Sequence, residues 1–269
     1  MKPKSRFNAL SVYAVFFIVL LYGPVMLLPL FSFNDAIYIA FPLKAFTTKW
    51  YAAMVSSDPL LRALSNSIKV GISVAVISTM LGLLAAMAVT RYRFFGKGPI
   101  MGTVMLPLVV PSLVFAIAIL GILRKVFDVE LSLYTVAAGH ILLATPFAML
   151  VLISRLEGFD KSLEEASYDL GESGWGTFWR VTFPLALPGI VSSLLLGFTE
   201  SFDEFVFAFF LAGNESTLPL FIFSQLRFPQ RLPGVLALGS CILIISFVLV
   251  VSAELFRRRG VDSLKPSAV

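Results

Sequence analysis

Residues 164–184 read EEASYDLGESGWGTFWRVTFP, and the stretch is out of character with the chain around it. It carries Glu164, Glu165, Asp169 and Glu172 in a sequence that is 58% hydrophobic and only 14% charged, where a soluble domain has about 25% charged residues. Ser162 followed three residues later by Glu165 matches a capping box, which predicts a helix starting at Leu163. Leu163, Ala166, Ser167 and Leu170 recur at i, i+3, i+4 and i+7 and give that helix one small, mildly apolar face. The acids mostly fall elsewhere on the cylinder. Gly171 is predicted to end it, because left-handed backbone costs glycine nothing sterically. Ser173 is placed to cap a second short helix carrying Trp175, Phe178 and Trp179, and Pro184 and Pro188 lead into the next apolar run.

Outward from this stretch, six apolar runs lie near residues 10–33, 68–89, 100–123, 133–153, 190–211 and 235–256. Each reaches the roughly 20 residues that a spanning helix needs. The expected fold is therefore an all-α membrane protein with six transmembrane helices in a single domain, 1–269, with segment 160–184 between helices four and five. Lys2, Lys4 and Arg6 precede the first run, but its apolar core is too long for a signal peptide, and no small-x-small cleavage site follows. It reads as a retained first helix.

Basic residues set the expected orientation. Thirteen, including Lys2, Lys4, Arg6, Arg91, Arg93, Lys97, Arg155, Lys161, Arg180, Arg257, Arg258, Arg259 and Lys265, fall on one side, against eight on the other. The richer side is expected to be cytoplasmic, with both termini there. The net charge of +5 is thus explained by topology, without nucleic acid as a partner. The single Cys241 allows no disulfide within the chain.

The outer segment 34–66 holds FTTKWY (46–51) and SSDP (56–59), the latter a turn or helix-start signal. The outer loop 213–233 contains three prolines and is expected to be irregular or to carry only a short helix. Pro107 and Pro111 fall inside the third run and Pro146 inside the fourth; such prolines mark kinks along a cavity or are simple packing geometry.

Chemistry is sparse. No G-x-x-x-x-G-K-[ST] occurs, and RFFGKGP (93–99) lacks the upstream glycine of a phosphate loop. No His-Glu-x-x-His motif and no Cys/His cluster suggests a metal. The lone His140 reads as a hydrogen-bonded packing residue. No nucleophile with a base, and no acid pair, forms a catalytic set, so neither an enzyme nor a resident cofactor is expected.

Two groups of acids remain. The surface helix at 163–170 either lies on lipid, which accounts for the tryptophans, or docks in a groove of a protein partner. The second reading accounts for the acids, because the cytoplasmic leaflet is itself negative. FTESFDEFVFAFF (198–210) places Glu200, Asp203 and Glu204 in an arc of about 100° on one helix. An ionised acid at the bilayer centre costs roughly 2.5–3.5 kcal/mol on insertion scales, so these acids must face a cavity, a basic partner or the bundle interior. They line a pathway for a cation, or they hold an interface with a sister subunit or bond to Ser192, Ser193 and Thr199. The stripe Phe198, Phe202, Phe205, Phe209 reads as packing.

The pattern E-A-S-x-x-x-G-x(9)-V-x-F-P from Glu165 to Pro184 resembles the Glu-Ala-Ala…Gly…Ile-x-Leu-Pro signature of ABC importer permeases that work with a separate binding protein. Ser167, Val181 and Phe183 are modest departures from it. FTTKWY, RYRFFGK (91–97), SRLEGFDKSLEEASYDLG (154–171) and SFDEFV (201–206) extend the resemblance to the second permease of bacterial spermidine/putrescine importers. Relatives in that branch carry other small solutes, such as opines and amino-acid derivatives. The resemblance implies a type I importer permease in the bacterial inner membrane, surrounded by membrane lipid. It also implies three kinds of partner: a second, different permease, two subunits that bind ATP and Mg, and an extracytoplasmic binding protein. By the same resemblance Glu165, Ala166, Ser167 and Gly171 form a coupling helix that inserts into a cleft on the ATPase, and Pro184 fixes the start of helix five; on the pathway reading of Glu200, Asp203 and Glu204, the solute that they face is small and cationic. The rival is a self-contained carrier driven by an ion gradient, with the same three acids as proton or sodium sites.

Overall fold

The computed structural model describes the backbone of residues 9–262 and the side chains of residues 10–248. Lys2, Lys4, Arg6 and Lys265, and the side chains of Arg257, Arg258 and Arg259, on which the expected orientation partly rests, lie outside the described residues. Every long element described is helical. The chain divides into two compact units, residues 1–58 with 222–269 and residues 59–221.

The first unit holds α1 (Ala9–Ser32), α2 (Lys49–Val55) and α12 (Leu232–Asp262), with α12 packed on both α1 and α2. Most of α1 between Leu10 and Leu21 is exposed and apolar, as a helix facing lipid requires. FTTKWY acts at the end of α1. The Trp50 indole donates to the Asn34 carbonyl at 2.9 Å, the Tyr51 and Ser32 hydroxyls meet at 2.6 Å, and Phe33 stacks between Phe46 and Tyr51. Lys49 pairs with Asp35 beside them.

The second unit is built on three long helices, α3 (Asp58–Arg91), α6 (Leu133–Glu157) and α9 (Phe183–Asp203). The SSDP signal starts α3 at Asp58, ten residues before the apolar run. Close approach depends on small residues, as in membrane bundles generally. A Cβ on Gly82 of α3 would lie 2.8 Å from the Ala148 Cβ of α6, and one on Gly197 of α9 would lie 3.0 Å from the Ser78 hydroxyl of α3. Larger side chains there would force the helices apart. Two buried clusters follow along α6. One gathers Val136, Leu143 and Ala144 with Val70, Val74, Phe207 and Leu211, and the other gathers Met149, Leu152 and Leu156 with Ala86, Ala186 and Ile190.

Two of the six expected spans are not continuous. The third is a pair, α4 (Lys97–Val109) and α5 (Ser112–Lys125), bent by 111°. Val110 between them is extended (φ −77°, ψ 131°), the conformation that the ring of the following Pro111 imposes on its predecessor. Pro107, by contrast, is accommodated inside α4. Each arm is only about 20 Å long at 1.5 Å per residue, short of a ~30 Å hydrocarbon core. The fifth stops at Asp203, and a separate short helix, α10 (Val206–Leu211), follows. Among the described residues five helices are long and apolar enough to cross a membrane, six if the bent pair is one span. The proline-rich loop 213–233 contains α11 (Leu218–Leu226) and a single 3₁₀ turn.

Candidate functional site

The quoted stretch forms two linked helices at the end of α6. The first, α7, covers Ser162–Asp169. It begins one residue earlier than the capping-box reading predicts, because Asp160, not Ser162, provides the cap: its Oδ1 accepts the Ser162 amide at 3.0 Å. The same bond holds the Asp160 carboxyl below its usual range. Gly171 ends the helix as expected, at φ +84°, with its amide donated to the Tyr168 carbonyl and that of Glu172 to the Ser167 carbonyl. Ser173 accepts the Gly176 amide at 3.1 Å and caps α8 (Gly174–Thr177). A π-helical turn, Phe178–Thr182, then joins α8 to α9, which carries Pro184 in its first turn. The rings of Trp175, Phe178, Trp179 and Phe183 pack on one another with centroids 4.9–6.0 Å apart.

The residues singled out from sequence are presented outward. Glu165, Ala166, Leu170 and Gly171 are exposed, Leu170 by 89%, and α7 has no buried side chain. Ser167 faces inward instead and meets the Thr177 hydroxyl at 2.9 Å, tying α7 to α8. Pro184 is exposed. A cleft of about 370 Å³ opens beside this face, lined by Met87, Tyr92, Lys161, Glu165, Tyr168 and Phe178 among others.

Sequence reasoning missed the residue that holds α7 in place. Arg91, the last residue of α3, forms an ion pair with Glu164: Nε to Oε2 at 2.8 Å, and a terminal nitrogen to Oε1 at 3.2 Å. The two side chains are only 12% and 13% exposed. The Arg91 guanidinium also donates to the Leu156 carbonyl at 3.4 Å and lies over the Phe159 ring. Glu164 accepts the Thr182 hydroxyl at 2.6 Å. One cue was present in the sequence: an arginine closing an apolar run, with an acid pair elsewhere in the chain to answer it.

The acids near residue 200 are not one helical face. Glu200 is half-buried on α9, Asp203 is exposed at its last residue, and Glu204 lies in the break. Glu204 is extended (φ −71°, ψ 114°), and its Oε1 accepts the amides of Val206 at 2.7 Å and Phe207 at 3.1 Å. It caps α10. The alternative that these acids bond to Ser192, Ser193 and Thr199 is also corrected, because those hydroxyls donate to the carbonyls of Pro188, Ala148 and Leu195. The expected phenylalanine stripe falls into two ring pairs, Phe198 with Phe202 on α9 and Phe205 with Phe209 beyond the break. His140 is the packing residue expected, buried on α6 with Nδ1 2.8 Å from the Ser201 hydroxyl. Thr135 donates to the Leu211 carbonyl at 2.7 Å, so α6 grips the chain on both sides of the break.

Comparison with known proteins matches this arrangement. A family model described as binding-protein-dependent transport system inner membrane component matches residues 78–260. The spermidine/putrescine transport system permease protein PotC of Escherichia coli (strain K12) is 34% identical over 239 residues, covering 88% of this chain and 89% of that protein. The putrescine transport system permease protein PotI of the same strain is 30% identical over 256 residues, covering 90% of each. Among solved structures, a bacterial alginate ABC transporter in complex with its pentasaccharide-bound periplasmic protein superposes with a TM-score of 0.68 at 16% identity, over 93% of this chain and 92% of that one. The methionine transporter MetNI, in an inward-facing conformation, gives 0.55 at 15% identity, over 82% of this chain and all of that one.

Proposed function

The chain belongs to the family of binding-protein-dependent ABC transport inner-membrane permeases, and from that premise we propose that it forms one half of an import pathway for a polyamine, with segment 160–184 coupling it to the ATPase. As an importer permease it is a multi-pass inner-membrane transport subunit without a catalytic domain. ATP is bound by partner subunits, and a periplasmic binding protein delivers the solute. An ion-gradient carrier has no footing in this family.

The observation that carries the coupling reading is the outward face of α7. Glu165, Ala166 and Leu170 stand open on a helix with no buried side chain, the geometry of a short helix that seats in a groove. Ser167 and Gly171 shape the turn behind it, and Pro184 fixes the start of α9. Arg91, Lys97, Arg155, Lys161 and Arg180 gather at this end of the second unit, which supports a cytoplasmic location for it and cytoplasmic termini. The second permease is a different chain, as in the polyamine importers that this one resembles. The polyamine reading rests on the 34% and 30% identity to PotC and PotI. Glu200 and Asp203, at the far end of α9, are the carboxylates left to meet the ammonium groups.

The test is uptake of radiolabelled spermidine and putrescine by cells that lack their own polyamine importers. These cells would carry this chain with its sister permease, ATPase and binding protein. Uptake that needs both the binding protein and ATP is expected. Absence of uptake for both polyamines, with the complex assembled and hydrolysing ATP, would remove the substrate assignment and leave the family intact.

A further inference from the structure

We propose that Arg91 is a positioning residue for energy coupling, and that its ion pair with Glu164 is the link through which a displacement of α7 reaches the ends of α3 and α6. The inference rests on α7 being the segment that contacts the ATPase.

The case starts from what else could carry such a displacement. No side chain of α7 is buried, so packing gives the helix little purchase on the bundle. Two lighter polar ties exist, the Ser167–Thr177 hydroxyl pair and the Lys161 contact at 3.4 Å to the Thr90 carbonyl. The first reaches only α8, and the second uses a flexible, exposed side chain. Arg91 differs in kind. A terminal nitrogen donates to Glu164 Oε1 at 3.2 Å, and Nε lies 2.8 Å from Oε2 in ion-pair contact, a charge-assisted tie between two ions, which the other two lack. The same guanidinium reaches the Leu156 carbonyl and the Phe159 ring at the end of α6, while Glu164 takes the Thr182 hydroxyl just before α9. Four elements therefore meet at one nearly dry ion pair. The neighbouring pair Arg180–Glu172 has its arginine 75% exposed, and exposed pairs of that kind hold little.

Arg91 could instead be a pin needed only for folding. The two roles separate in the ratio of solute imported to ATP hydrolysed, because a folding pin changes the amount of complex and leaves the ratio alone. The experiment uses the whole complex, with sister permease, ATPase and binding protein, in proteoliposomes supplied with radiolabelled spermidine. The double variant R91M/E164M removes both charges together and leaves no unpaired buried charge. We expect it to retain the ATPase on purification while spermidine imported per ATP falls at least about fivefold, the low end of coupling between sites. R91K keeps the charge but cannot reach the Leu156 carbonyl and Glu164 at once as the guanidinium does, and should fall between. A parental ratio in the double variant overturns the proposal. So does a proportional fall of uptake and hydrolysis as the complex is lost. Should R91M/E164M not accumulate, R91K decides: a lowered ratio of spermidine imported to ATP hydrolysed supports the link, and a parental ratio overturns it. A parent chain that purifies without any ATPase would remove the coupling reading itself, and the proposal with it.

Discussion

Glu204 accepts the Val206 amide at 2.7 Å, which makes this acid a helix cap in the middle of what reads as one apolar helix. Capping needs an acceptor oxygen rather than a charge. Glu204→Gln should therefore import at close to the parental rate, whereas Glu204→Ala should cost about 1 kcal/mol in thermal denaturation and reduce uptake. Equal damage from both substitutions would show that the charge itself matters and return Glu204 to the pathway.

Asp203 has no such duty. It is exposed at the last residue of α9 and, among the described residues, its side chain makes no hydrogen bond or ion pair. Asp203→Asn should raise the KM for spermidine roughly twofold to fivefold, the worth of one exposed ion pair, with ATP hydrolysis unchanged. Unaltered uptake kinetics would assign the residue to structure.

Charge reversal on the open face of α7 is a different kind of lesion. Glu165→Lys should leave the chain folded and membrane-inserted while binding-protein-dependent uptake is lost. Gly171→Ala should act more weakly, because it strains a turn at φ +84° by about 1 kcal/mol. Normal transport in Glu165→Lys would sink the coupling assignment.

The Arg91–Glu164 pair also makes a prediction about stability alone. Removing one partner strands a nearly buried charge, which costs about 3–5 kcal/mol, whereas replacing both by apolar residues is often neutral. R91M should therefore melt well below the parent in detergent, and R91M/E164M should recover most of the difference. If the double variant melts as low as the single one, the pair's surroundings rather than the stranded charge set the cost.

The legible parts of this protein were those written in local sequence. Ser173 and Gly171 signalled a cap and a turn, SSDP a helix start, and the apolar runs the spanning helices. What escaped was set by residues far apart in the chain. Nothing in SFDEFVFAFF, which has neither proline nor glycine, announces a break at Glu204. The break is held from α6, by His140 on Ser201 and Thr135 on Leu211. Arg91 and Glu164 are separated by 73 positions, so no periodicity could pair them. Pro111 was visible, but a proline in a membrane helix is compatible with a gentle kink as well as with the 111° turn that it makes here.

That turn bears on how the polypeptide is threaded. Arg91 closes α3 and touches the Leu156 carbonyl near the close of α6, so the two helices finish at the same level and run in the same sense. The chain between them must therefore return from one level to the other, and only α4 and α5 are available to do it. Their packing agrees: α4 lends Met101, Val104 and Met105 to the cluster around Leu152 and Leu156, while α5 lends Phe115 and Ile119 to the one around Val136 and Leu143. Two arms, each too short to traverse a bilayer alone, divide that return between them, one beside each cluster.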